Sequence, residues 1–105
     1  MEIHGNDIVV DVPDSQPVRD LVAMTIRLNW PHCVLRQDGN DYFFHENEES
    51  VKSWDEEGWS GTNRDTMIYV IHGTKSMTLV VDENPASCTA RIAASIATLL
   101  GSKCL

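Results

Sequence analysis

Residues 66–81 read TMIYVIHGTKSMTLVV, two β-branched and apolar runs around a short polar turn. These runs predict two strands, 66–72 and 77–81, joined as a hairpin. The first strand is apolar on both faces, with Met67, Tyr69 and Ile71 on one and Ile68 and Val70 on the other. We therefore expect this strand to lie in the interior of a sheet, where both of its faces are covered.

Three more strands are predicted upstream of this hairpin. Residues 7–12 form a β-branched run that Pro13 ends. Residues 32–37 and 41–46 flank Asp38-Gly39-Asn40, a turn sequence with a glycine suited to positive φ. In the strand 41–46, the alternation puts Tyr42 and Phe44 on one face and Phe43 and His45 on the other.

Two amphipathic helices are predicted, one before and one after this group of strands. The first spans 18–30 between the capping residue Ser15 and Pro31, and its apolar positions are Val18, Leu21, Val22, Ile26, Leu28 and Trp30. The second begins at Asn84-Pro85, with Asn84 as the cap, and ends near Gly101. Its apolar stripe, which we expect to lie in the core, is Cys88, Ile92, Ile96 and Leu99.

The order β-α-β-β-β-β-α predicts an α+β fold of two layers. We expect a mostly antiparallel sheet of about five strands with both helices on one face. The chain has 105 residues, which suits one domain, 1–105. Residues 47–65 carry no strand pattern, and we expect a polar loop there, with one or two helical turns near 48–57.

Composition limits the choice of partner and compartment. The formal net charge of -8 argues against a nucleic-acid backbone or an anionic membrane as the main partner. Three cysteines, Cys33, Cys88 and Cys104, form no close pair, so reduced thiols are expected. The first residues have no secretory-signal pattern and no apolar run approaches the ~20 residues of a membrane span, which predicts a cytoplasmic protein.

The negative charge is concentrated in residues 38–57. This window contains eight acidic residues and one basic residue, Lys52, whereas the rest of the chain contains eight acidic and seven basic residues. Five of the seven aromatic residues, Tyr42, Phe43, Phe44, Trp54 and Trp59, also fall between positions 42 and 59. Acidic residues interspersed with aromatic ones are typical of a surface that attracts and then anchors a basic partner.

Seven residues are the candidates for partner binding: Glu48, Glu49, Trp54, Asp55, Glu56, Glu57 and Trp59. The carboxylates would steer the partner and form ion pairs, and the two indole rings would supply apolar contact area. The alternative is that the acids form a solvated loop and the aromatic rings anchor that loop to the domain's own core.

Other motifs are weaker. Gly73-Thr74-Lys75-Ser76 lacks the upstream glycine and the following helix of a phosphate-binding loop, so it predicts only a hairpin turn. The histidines His4, His32, His45 and His72 do not have zinc-ligand spacing, although His45 and His72 could meet across strands. Cys33 follows His32 and could be activated by a neighbouring histidine, but free cysteines are usually small apolar packers. We predict no catalytic residue, metal or cofactor.

Three functions are compatible with these features. The first is an acidic interaction protein that binds and blocks a basic partner, as immunity proteins and antitoxins do with nucleases; this is a likeness of size and charge. The second is a secretion chaperone or adaptor, which would present an apolar surface and dimerise. The third is an enzyme or small-ligand binder with a pocket between helices and sheet, lined by His45, His72, Tyr69 or Cys33. The sequence favours the first.

Overall fold

A computed structural model describes residues 6–59 and 63–101. The described elements, in chain order, are β1 (Asn6–Val10), α1 (Gln16–Asn29), β2 (Val34–Asp38), β3 (Asp41–His45), α2 (Glu48–Glu57), a single 3₁₀ turn (Arg64–Thr66), β4 (Met67–His72), β5 (Met77–Val81) and α3 (Cys88–Gly101). The strands form one antiparallel sheet in the order β1-β5-β4-β3-β2. The predicted α+β class is confirmed, with one more helix than expected.

The β4–β5 hairpin forms the middle of this sheet, as its sequence predicts. β4 lies between β3 and β5, so both of its edges are hydrogen-bonded. In the turn, the Gly73 N–H donates to the Ser76 carbonyl at 2.9 Å. A Cβ at Gly73 would lie 2.6 Å from that same oxygen. The turn therefore needs glycine at this position because a side chain would collide with the backbone that closes it.

One face of the sheet carries the main core, and α1 and α3 cover it. Alternate strand residues point to this side, among them Phe44 of β3, Val70 of β4 and Leu79 of β5, all at most 1% exposed. They pack in one cluster with Ile26 of α1 and Ile96 of α3. We call this the helix face, and its existence confirms that α1 and α3 share one side of the sheet.

The opposite side of the sheet, the second face, carries the other set of alternating residues. Its members include Phe43 and His45 of β3 and Tyr69 of β4, with Tyr69 directly opposite Phe43. α2 lies on this face at the β3 end, through Trp54 on Phe43 and Ser50 on His45. The one or two helical turns expected near 48–57 are a regular helix of ten residues, α2, which adds a partial third layer.

The start of α3 differs from the prediction. Asn84 does not cap the helix; its side-chain oxygen accepts from Ala86 N at 3.0 Å, in a turn before the helix. α3 begins at Cys88, where Ser87 Oγ accepts from Ala90 N. Pro85 suited a first helical turn, but the serine cap two residues later determines where the helix starts.

A carboxylate from another element adds to this cap. Asp65, in the 3₁₀ turn, accepts hydrogen bonds from the backbone nitrogens of Cys88 at 3.0 Å and Thr89 at 2.8 Å. Its negative charge also suits the helix N-terminus. Cys88 is thus the first residue of α3 and is exposed, so its prediction as a core residue is wrong.

Two further apolar positions in the predicted stripes are also exposed. Leu28 of α1 is 77% exposed and Leu99 of α3 is 46% exposed. Other predicted apolar positions of α1, such as Val22 and Ile26, are completely buried. Among residues 6–59 and 63–101, no helix is long and apolar enough to cross a bilayer.

Candidate partner-binding surface

The predicted acidic residues of α2 are all exposed. Glu48, Glu49, Asp55, Glu56 and Glu57 form what we call the acidic surface, with Lys52 as the exposed basic residue of the same helix. α2 starts at Asn47, whose side chain accepts from Ser50 N at 3.0 Å, and it ends at Gly58, where φ is 67°. Both signals are in the sequence, since asparagine favours the N-cap and glycine the left-handed C-terminus.

The helix dipole stabilises the acidic residues at one end of α2 and destabilises those at the other. Glu48 and Glu49 lie in the first turn, where the positive end of the dipole stabilises negative charge. Asp55, Glu56 and Glu57 lie in the last turn, which contains no basic residue. Carboxylates at this negative end are destabilising, typically by about 0.3–1 kcal/mol each at an exposed site.

A buried histidine joins α2 to the sheet. His45 is 0% exposed, and its Nδ1 lies 3.0 Å from Ser50 Oγ in α2. Its Nε2 accepts from Arg36 of β2, with nitrogen–nitrogen distances of 3.3 Å for Nε and 3.1 Å for Nη2. Because arginine can only donate, the imidazole proton is on Nδ1, which donates to Ser50 Oγ. Ser50 in turn donates to the Thr66 carbonyl at 2.9 Å.

Arg36 extends this network to the acidic surface. Its Nη1 lies 2.8 Å from Asp55 Oδ1, so a single guanidinium contacts both the buried histidine and an exposed carboxylate. Burial, and after it the neighbouring positive charge of Arg36, lower the pKa of His45 to about 4, although the Asp55 carboxylate acts in the opposite direction. His45 is therefore neutral near pH 7, and its two hydrogen bonds fix the position of α2.

The Ser50–His45 pair resembles the start of a nucleophilic triad but cannot act as one. Ser50 is 4% exposed and its hydroxyl proton is directed to the Thr66 carbonyl. His45 uses Nδ1 as a donor to the serine, which is the opposite of the base role that activation requires. The pair is a structural joint between helix and sheet.

The two candidate tryptophans pack on the second face of the sheet. Trp54 lies against Phe43, with ring centroids 6.4 Å apart, and against His45 at 6.3 Å. Trp59 meets Trp54 edge-on at 5.8 Å, and Phe43 stacks on Tyr69 at 4.7 Å. Both tryptophans are partly buried, so each retains an exposed part. The rings therefore anchor α2, as the alternative interpretation expected, and also remain available to a partner.

A groove of about 250 Å³ opens between α2 and β2. Its lining consists of Arg36, Gln37, Asp38, Phe43, Trp54 and Asp55. The aromatic rings of Phe43 and Trp54 provide apolar surface, and the carboxylate of Asp38 provides negative charge, since Asp55 is paired with Arg36. Sequence reasoning singled out Trp54 and Asp55 but missed the contribution of β2, because the pairing of β2 with β3 and the packing of α2 bring them together.

The pocket of the third hypothesis is not formed from its expected residues. His45 and Tyr69 lie on the second face, whereas His72 lies on the helix face, so no single cavity can collect them. The same arrangement excludes a contact between His45 and His72, which the sequence had left open. Cys33 is half-buried and burial raises the pKa of its thiol, which disfavours a nucleophilic thiolate.

Metal binding finds no support in the described part of the chain, where no group of three or more His, Cys, Asp or Glu side chains is placed to hold an ion. His32 is exposed after α1. His4 and Cys104 lie outside the described residues.

A second buried histidine lies at the far end of β4, on the helix face. His72 is 1% exposed, and neither ring nitrogen has a hydrogen-bond partner within the described residues. Its nearest charged neighbour is Asp14, with Nδ1 and Oδ1 3.9 Å apart. Arg19 forms a double hydrogen bond with Asp14 at 2.7 and 2.6 Å and also donates to the Tyr42 hydroxyl. The positions of His72, Asp14 and Arg19 in the sequence do not predict that they lie together.

Comparison with known proteins adds no assignment: no protein-family model, no curated protein and no solved structure matches this chain. A functional assignment therefore depends on the geometry and charge of the acidic surface and of the groove beside it.

Proposed function

We propose that this protein is a small interaction protein that binds a basic macromolecular partner through the acidic surface of α2 and the adjoining groove. The observation that carries the proposal is the last turn of α2. Three carboxylates, Asp55, Glu56 and Glu57, are exposed there at the negative end of the helix dipole, in a turn without a basic residue. Asp55 also forms an ion pair with Arg36, which ties this end of the helix to β2.

Asp55 gains stability from its ion pair with Arg36 and Glu57 accepts a hydrogen bond from Ser53, but the dipole opposes all three charges, and the cost is clearest for the exposed Glu56. Lysine or arginine in the last turn of a helix is favourable, and glutamate there is unfavourable. Residues that oppose local stability are expected where function requires them. A basic partner would convert the unfavourable charges into favourable contacts and would be attracted from a distance by the local field.

The groove beside α2 supplies what the carboxylates lack. A lysine or arginine side chain entering it would place its cation near the rings of Phe43 and Trp54 and near the carboxylate of Asp38. Apolar ring surface next to charge is typical of the residues that dominate binding energy. The network from His45 to Ser50 and Asp55 holds this surface in place, which lowers the ordering cost on binding.

In particular, we propose that binding inhibits the activity of the basic partner. A compact acidic protein can cover the basic cleft of a nuclease, with its carboxylates in the place of substrate phosphates, as immunity proteins and antitoxins do. Under this proposal the protein needs no catalytic residue and no cofactor, and its partner is a basic protein.

Capture from the native host with a matched pair of variants tests the proposal. Glu56→Gln/Glu57→Gln changes the acidic surface, and Asp7→Asn/Asp11→Asn makes the same change in net charge at exposed positions on and after the opposite edge strand, β1. We expect the first pair to weaken binding of a captured basic protein about tenfold or more, through slower association, and the second to have little effect. Higher salt should weaken wild-type binding.

The stability of the first variant provides an internal check. Within this double variant, neutralising Glu56 at the negative end of the dipole should raise the free energy of unfolding by about 0.3–1 kcal/mol, and a thermal melt checks that the double variant remains folded. A loss of binding could then not be attributed to unfolding. Equal binding by both variants, or capture of an acidic partner, would contradict the proposal.

A further inference from the structure

The outward side of α1 carries an apolar patch with charges at both ends. Its residues, which we call the α1 outer face, are Asp20, Ala23, Met24, Arg27 and Leu28, and they line a shallow depression of about 370 Å³. Met24 is 55% exposed and Leu28 is 77% exposed. The buried side of the same helix supplies Val22, Thr25 and Ile26 to the interior, so the exposed apolar residues are not needed to attach α1 to the sheet.

The charges on this face are arranged in a self-complementary way. Asp20 and Arg27 are seven residues apart, which is about two turns or ~10 Å along a helix, on nearly the same side. Ala23 and Met24 lie midway between them. If a second α1 crosses antiparallel on a twofold axis near Ala23 and Met24, each Asp20 meets the Arg27 of the other copy. The same geometry brings the exposed Met24 side chains of the two copies together at the crossing, and each Leu28 then lies beside the Asp20 end of the other copy.

We infer that the α1 outer face binds a second copy of this chain, forming an antiparallel twofold dimer. The small side chain of Ala23 permits close approach of the two helices at the crossing. The acidic surface of α2 lies on the second face of the sheet, away from α1, so the two concentrations of negative charge need not meet. Because one helix face is smaller than a standard stable interface, the dimer should be weak and concentration-dependent.

Charge reversal with rescue is the decisive experiment. Sedimentation equilibrium of the full chain should show a monomer–dimer transition as concentration rises. Asp20→Arg alone, or Arg27→Asp alone, places like charges together at both ends of the crossing, and we expect the dissociation constant to rise about tenfold or more. The double variant Asp20→Arg/Arg27→Asp restores opposite pairs and should recover dimerisation to within about threefold of wild type.

Two controls make the result specific to this face. Met24→Lys places two like charges together at the crossing and should weaken the dimer, whereas Val9→Lys changes an exposed apolar residue of β1 on the second face and should leave it unchanged. Melting temperatures confirm that each variant is folded. A wild-type chain that stays monomeric at all concentrations, or a dimer that survives both single reversals, would overturn the inference. Since neither result involves the acidic surface, the proposed function is tested separately.

Discussion

The two buried histidines of this fold have very different surroundings. His45, on the second face, is 0% exposed and uses both ring nitrogens, one to Ser50 of α2 and the other to Arg36 of β2. His72, on the helix face, is 1% exposed, packs edge-on against Tyr42 at 4.9 Å and has no hydrogen bond within the described residues. Two equally buried histidines therefore contribute differently to stability. His45 connects α2 to the sheet through hydrogen bonds, whereas His72 mainly fills space in the core.

This difference also shows which of the two histidines holds the candidate binding surface in place. One hydrogen bond of His45 ends on Ser50 of α2, and the other reaches Arg36, which pairs with Asp55 of the same helix, so loss of that histidine should loosen the acidic surface. The nearest charged group to His72 is Asp14, just before α1, whose main partner is Arg19 at 2.6 Å. Replacement of the two histidines by the same residue compares these roles directly.

The largest effect is expected from His45→Leu. Leucine fills a similar volume but leaves the buried Ser50 hydroxyl and the Arg36 guanidinium without their shared partner. Losing one neutral hydrogen bond costs about 0.5–1.5 kcal/mol and losing one from a charged donor about 1.5–3 kcal/mol, so the free energy of unfolding should fall by about 2–4 kcal/mol. Urea denaturation measures this. A loss of less than about 1 kcal/mol would show that the network adds little to stability.

The stability of the fold should depend on pH through His45. Burial holds its folded-state pKa at about 4, below the ~6.5 expected for an unfolded chain. Between these values the unfolded chain binds more protons, so stability present above pH ~6.5 is lost as the pH falls through ~4, by up to about 3 kcal/mol. Burial also lowers the pKa of His72, which adds a contribution of the same sign.

The His45 share of this pH dependence can be separated. Unfolding free energies at pH 7 and pH 4.5 should differ less in His45→Leu than in the wild type, because the variant lacks the group whose pKa shifts. A direct NMR titration of the His45 ring should give a midpoint near 4. A midpoint near ~6.5 would mean that the ring is accessible to water and that α2 is not firmly attached.

The sequence predicted the parts of this arrangement that depend on local alternation. Period-two spacing correctly placed His45 with Phe43 on one face of β3 and Tyr42 with Phe44 on the other. The exposed acids of α2 were also recognised as a group. These features are properties of neighbouring residues, so a single sequence displays them.

Contacts between distant residues could not be predicted in this way. α2 has few apolar residues, and its attachment depends on Ser50 bonding to His45 and Asp55 pairing with Arg36, 19 positions away. The N-terminus of α3 is capped by Asp65, 23 positions before Cys88. No spacing rule connects such residues, and this is why only one or two helical turns were predicted at 48–57 and why the start of α3 was placed too early.

His72→Leu should change the free energy of unfolding least, and it should raise it, in contrast to His45→Leu. The change removes two buried nitrogens that have no hydrogen-bond partner in the described structure and keeps a side chain of similar volume against Tyr42. Replacing such a group by an apolar one recovers its desolvation cost, so the free energy of unfolding should rise by about 0.5–1 kcal/mol.

The two leucine variants therefore differ in sign, although the replaced side chains are equally buried. Both variants should be measured in the same urea titration at pH 7, where both histidines are neutral. A difference in their free energies of unfolding then cannot come from the loss of a positive charge. Asp14 and Arg19 should keep their double hydrogen bond in His72→Leu, because that bond does not involve the imidazole. If His72→Leu instead destabilised the fold as much as His45→Leu, the His72 ring would have polar partners that offset its burial, and the contrast between the two histidines would not hold.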